Sequence, residues 1–154
     1  VRLGIRAARL IAAGFGVGWA PRAPGTAGSL LALPAGAALM LAPPWVLACA
    51  AATATLGGVW AIRAADIDGD PGWVVVDEIA GQWIALIGLA RPTMVGLAAA
   101  FALFRLLDIV KPGPVGWADR QGGAAGVMAD DVIAGAIVAG ILWAARSRWP
   151  GLFG

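Results

Sequence analysis

Histidine is absent from this chain, which removes the usual general base near neutral pH, phosphohistidine chemistry and every His-ligated zinc site. The only cysteine, Cys49, lies in the apolar run 46–55, so no intramolecular disulfide can form and the thiol reads as a core or lipid-facing group. Carboxylates are missing from the first 65 residues, which carry five arginines. Charge of either sign is scarce: 13% of the residues are charged and 60% are hydrophobic. A soluble domain of 154 residues needs more polar surface than this. A net charge of +2 with no basic cluster interleaved with aromatics gives no footing for nucleic acid. The composition is that of a small integral membrane protein of one domain, 1–154.

What charge there is has a pattern. All nine acidic residues fall between Asp66 and Asp131. Ionisable groups in a lipid-embedded chain line wet cavities, pair or bind ions, because each costs at least ~2.5–3.5 kcal/mol at a helix centre. With no histidine, carboxylates are the metal ligands on offer, and hard oxygen donors favour magnesium, calcium or manganese.

The expected architecture is all-α. Arg2, Arg6 and Arg9 recur among Leu3, Ile5, Leu10 and Ile11 over 1–13, a basic stripe on an interfacial helix. Residues 14–29, with five glycines and two prolines, read as a structured loop. Apolar segments follow at 30–42, 45–62, 74–89, 93–107 and 132–145, giving a polytopic bundle of about four to five membrane segments over 30–145. Counting five crossings, eight basic residues fall on the side of the N-terminus and the acidic loops and three on the other, which makes the first side cytoplasmic. Trp45, Trp143 and Trp149 fit an interfacial belt, while Trp60 and Trp83 read as packing residues.

Chemistry concentrates in four motifs. Asp77 and Glu78 open an apolar run, and neighbours about 100° apart on a helix reach one metal only where the helix begins or bends. Asp130 and Asp131 precede another; one aspartate is explained by capping, but a second adds like-charge repulsion that a divalent cation would convert into ligation. Arg105, Asp108 and Lys111 follow at intervals of three, offering either phosphate binding with Asp108 on a metal or an internal ladder of ion pairs. Pro24-Gly25-Thr26-Ala27-Gly28-Ser29 precedes a helix, so its amides and the Thr26 and Ser29 hydroxyls could cradle an anion. Asp70 is a further metal candidate and Asp119 a weaker one, whereas Asp66 and Asp68 suit a solvated loop.

In this order the motifs resemble phosphatidylglycerophosphatase A, a family of bacterial membrane lipid phosphatases. Gly14-Phe-Gly-Val-Gly18 with 23–29, then Val76-Asp-Glu-Ile-Ala-Gly81, Phe104 to Pro112, and 119–135 are similar to its signatures. The resemblance implies Mg2+-dependent hydrolysis of the terminal phosphomonoester of phosphatidylglycerophosphate, in glycerophospholipid biosynthesis. It implies an enzyme of the bacterial cytoplasmic membrane, multi-pass, with its site facing the cytoplasm. On the residues, Asp77, Glu78 and Asp131 are the catalytic candidates. Asp70, Asp77, Glu78, Asp108, Asp130 and Asp131 are candidate metal ligands. Arg105, Lys111, Gly25, Thr26 and Ser29 are candidate phosphate contacts. The competing reading is a divalent-cation transporter or channel lined by the same carboxylates.

Overall fold

The computed structural model describes residues 2–153 and is all-helical, with no strand among the described residues. Helix α1 spans Arg2–Ala12 and passes through a short 3-10 helix, Gly14–Trp19, into α2, Pro24–Leu39. Helices α3, Pro44–Ala64, α4, Val76–Leu86, and α5, Met94–Val110, follow. The short α6, Pro114–Asp119, leads to α7, Gly123–Arg148, and α8, Pro150–Phe153. Val1 and the side chain of Arg2, which open the basic stripe expected over 1–13, lie outside the described residues. Arg6 and Arg9 stand exposed on α1 while Ala8 and Ala12 are buried, the two faces that an interfacial amphipathic helix presents.

Three expectations need correction. The loop over 14–29 gives way to helix from Pro24 onward, because proline at the first helical position has its φ preset and needs no amide acceptor. The second acidic pair does not precede its helix: Asp130 and Asp131 lie inside α7, which begins at Gly123, so neither caps it. Four to five membrane segments become two candidate spans, α3 and α7, by length and apolarity. With 16, 11 and 17 residues, α2, α4 and α5 fall short of the ~20 that cross a bilayer upright. Only 28% of the apolar window of α3 is buried, and Leu56 and Trp60 on it are exposed, which points to lipid rather than a protein core around this helix. Trp60 is therefore no packing residue, whereas Trp83 is, its indole N–H donating to Ala32 O at 2.9 Å.

Helix α4 is the hub, packed against α2, α3, α5 and α7. Its contact with α7 is backbone on backbone. A Cβ placed on Gly135 would lie 3.1 Å from Gly81 Cα, and one on Gly81 would lie 2.7 Å from Asp131 O. Farther along, a Cβ on Gly88 would sit 2.8 Å from Ala139 Cα. Glycine is required at this seam because any side chain would force the two axes apart. The helical repeat then does the rest: Asp77 lies four residues before Gly81, and Asp131 four before Gly135, so each shares its glycine's face one turn away.

A candidate carboxylate site at the α4–α7 seam

Asp77 and Glu78 occupy the first turn of α4, and Asp131 faces them from α7. Each offers a carboxylate oxygen, and the three oxygens lie within 4.8 Å of one another. Burial is deep: Asp77 is 5% exposed and Asp131 2%. Asp77 Oδ1, Glu78 Oε2 and Asp131 Oδ1 are buried without a hydrogen-bond partner among the described residues. Three carboxylates at this separation repel one another in a weakly polarisable interior. The first turn of α4 offsets a part of that through its dipole, on the order of 0.3–1 kcal/mol per charge at an exposed terminus. A divalent cation held by one oxygen from each residue would offset that repulsion, and an oxygen-only donor set fits magnesium, calcium or manganese.

Arg105, on α5, stands on the other side of Glu78, with Nη1 3.8 Å from Glu78 Oε1. Its guanidinium is also paired with Asp108 one turn on, and its Nε has no hydrogen-bond partner among the described residues. The start of α2 closes this wall: a Cβ on Gly25 would overlap Glu78 Oε1 and lie 3.3 Å from Arg105 Nη1. The first-turn amides of a helix have no intrahelical acceptor, so the start of α2 and the Arg105 guanidinium together present donors of positive character beside the Glu78 carboxylate, which lies between them.

The remaining candidates divide. Lys111 takes the left-handed conformation that ends α5, φ 48°, and clamps α6 to α7 by bonding both Asp119 and Asp130, the latter at 2.7 Å. Burial alone would lower the lysine's pKa, but the hydrogen bonds to Asp119 and Asp130 outweigh it and raise the ammonium above its ordinary value. Asp130 Oδ1 also accepts from the Asp131 amide at 2.9 Å. Both oxygens of Asp130 are thereby engaged outside the three-carboxylate cluster, as is Asp108 with Arg105. Asp70 is exposed on the loop after α3 and is not one of the three clustered carboxylates; desolvation raises its pKa, Lys111 lowers it, and Asp119 and Asp108 raise it again. Thr26 is half-buried. Ser29 is fully buried and its hydroxyl donates to Gly25 O at 3.0 Å, so it is turned into its own helix.

Sequence reasoning passed over Gln82. It is fully buried on α4 with both side-chain amide atoms unpartnered, four residues beyond Glu78. A polar residue one helical turn from a candidate carboxylate in an otherwise apolar helix was the available signal.

The fold and site define a class: a small helical protein of lipid-facing character whose buried acidic cluster is flanked by an arginine and a helix N-terminus. The phosphatidylglycerophosphatase A family model matches residues 10–146. Phosphatidylglycerophosphatase A of Escherichia coli is 42% identical over 148 residues, covering 92% of this chain and 84% of that protein. A putative phosphatidylinositol-3-phosphatase of Bacteroides thetaiotaomicron is 42% identical over 91% of this chain and 92% of its own length. Phosphatidylglycerophosphatase A of Haemophilus influenzae is 37% identical over 91% and 88%. No solved structure matches. The chain belongs to the phosphatidylglycerophosphatase A family, and as such is an enzyme, a phosphatase.

Proposed function

We propose that this protein removes the terminal phosphate of phosphatidylglycerophosphate, leaving phosphatidylglycerol, with Mg2+ held by Asp77, Glu78 and Asp131. The observation that carries this reading is the position of those three clustered carboxylates, each with an unpartnered oxygen, against Arg105 and the start of α2, inside a chain of this family. Bound there, magnesium would neutralise charge on the phosphate and lower the pKa of a coordinated water. Arg105 and the Gly25 and Thr26 amides would hold the phosphate dianion in line, and Glu78 or a second aspartate would take a proton from the attacking water. Aspartate as a nucleophile is the other route. A substrate with an isotopically chiral phosphate separates the two, since a single displacement inverts phosphorus and two restore it.

The site is assigned to the cytoplasmic face of the bacterial inner membrane because Arg63, Lys111 and Arg120 lie with it where α3 ends and α7 begins, with two apolar helices long enough to cross. A transporter lined by these groups is not favoured. No carboxylate follows Asp131 along α7, whereas a cation path needs them through the depth of the membrane.

The name of the Bacteroides relative makes phosphatidylinositol 3-phosphate the proper comparator. Purified protein in detergent should release phosphate from phosphatidylglycerophosphate in the presence of magnesium and fall silent with chelator. Faster release from phosphatidylinositol 3-phosphate would move the substrate to that lipid. Activity indifferent to chelator would remove the metal from the reading.

A further inference from the structure

On the far side of α4 from Glu78 lies a second feature that the phosphatase reading does not use. Val76, Ile79 and Trp83 recur at helical spacing along one face of α4, roughly opposite Glu78. Together with Ile11, Phe15 and Gly57 they line an open apolar groove of about 460 Å³ beside the lipid-facing α3. Phe15 stands at this groove 77% exposed, in a left-handed conformation, φ 58°, that a bulky side chain rarely adopts and that tends to be retained at functional positions.

The same 3-10 helix leads from the groove to a second recess, of about 300 Å³, lined by Arg9, Trp19 and Trp73. Arg9 is exposed on α1, and among the described residues the ion pairs are made by Arg105 and Lys111 and not by Arg9. Tryptophan settles at the headgroup level of a bilayer, where its ring is buried and its N–H stays wet. An apolar channel beside a cationic recess flanked by indoles has the two-part chemistry of an anionic phospholipid.

We propose that the groove seats one acyl chain of an anionic membrane phospholipid whose headgroup rests against Arg9, Trp19 and Trp73, a lipid site separate from the three-carboxylate site. The bound lipid would brace α1 and the 3-10 helix against α4, and so steady the chain that enters α2 at Gly25.

Gly57 supplies the test. A Cβ there meets nothing within 4 Å, so Gly57→Leu fills the groove from a helix that leucine favours over glycine. The full-length protein in detergent is titrated with dioleoyl phosphatidylserine, which carries no phosphomonoester, and with dioleoyl phosphatidylcholine, and bound lipid is counted by native mass spectrometry. Wild type should bind one phosphatidylserine saturably and in preference to phosphatidylcholine. Gly57→Leu should weaken both lipids roughly tenfold or more. Arg9→Gln should cost roughly fivefold for phosphatidylserine alone. Unsaturable binding, or full lipid affinity in Gly57→Leu, would overturn the groove assignment, and an undiminished phosphatidylserine preference in Arg9→Gln would overturn the headgroup assignment. A wild-type dimer that Gly57→Leu dissociates would give the groove to a second copy of this chain instead. None of these outcomes depends on hydrolysis.

Discussion

At the scale of single residues, the two adjacent aspartates of α7 have different work. Asp131 contributes to the three-carboxylate cluster, whereas Asp130 spends both oxygens on Lys111 and on the Asp131 amide. Asp131→Asn should therefore lower kcat by about 10³-fold, the rate equivalent of several kcal/mol of lost charge stabilisation. Asp130→Asn keeps the local shape but weakens the clamp, and should cost only about 10–100-fold, the usual penalty for disturbing a group that orients a ligand. Steady-state phosphate release by the two purified variants checks this, and equal losses would put Asp130 in the cluster as well. The sequence makes Asp130 and Asp131 look equivalent, since neighbours in a chain share composition and context. What separates them is the 100° turn between consecutive helical side chains and the arrival of Lys111 from a helix end 19 residues away, which no local reading contains. Ser29, expected to contact phosphate, is turned away by a local bond: a hydroxyl in the first turns of a helix bonds readily to the carbonyl four residues back, and here it does.

At the scale of elements, hydrophobic runs bounded by proline, glycine and charge located the helices well, because burial and helix punctuation are both written locally. The start of α2 and the true length of α7 were not legible. In both cases glycine-rich sequence reads as a breaker, yet the glycines are there to let helices approach. The seam makes that a matter of measurement. Gly135→Ala puts a methyl group against the Gly81 backbone, and should cost about 1–3 kcal/mol of stability while parting Asp131 from Asp77. Gly140→Ala, on the same helix, meets nothing within 4 Å, and should be neutral or stabilising by up to about 1 kcal/mol. Thermal unfolding in detergent together with phosphatase assays distinguishes them. An unchanged Gly135→Ala would mean that the seam has slack and that the carboxylates do not owe their proximity to it.

For the molecule as a whole, three clustered carboxylates with a single arginine beside them repel one another in the absence of a further counter-ion, so a bound divalent cation should act on stability as well as on rate. Magnesium that binds the folded state alone stabilises it by mass action, by about 2.7 kcal/mol at a hundredfold excess over its dissociation constant, and so raises the unfolding midpoint. Wild type should show that rise in thermal unfolding and lose it to chelator. Asp131→Asn should be less dependent on magnesium, because one of the repelling charges has been removed. A wild-type midpoint indifferent to magnesium would argue that the cluster holds no metal before substrate arrives.

The two long helices also set an orientation for the whole chain. Gly58, near the C-terminal end of α3, abuts Met128, near the start of α7; a Cβ there would lie 2.6 Å from the Met128 sulfur. The end of α3 and the beginning of α7 therefore lie together near the site, and as spans the two helices would carry Arg146 and Arg148, at the end of α7, to the opposite side. Having a single cysteine makes this testable, since Cys49→Ala leaves a background without thiols. Asp68→Cys, on the exposed loop after α3, should resist a membrane-impermeant maleimide in intact inner-membrane spheroplasts and react once they are permeabilised. Gly151→Cys, exposed beyond α7, should react without permeabilisation. Labelling of both from outside would leave an even number of crossings between them, and labelling of Asp68→Cys alone would turn the site to the outer face, away from the side that the basic residues favour.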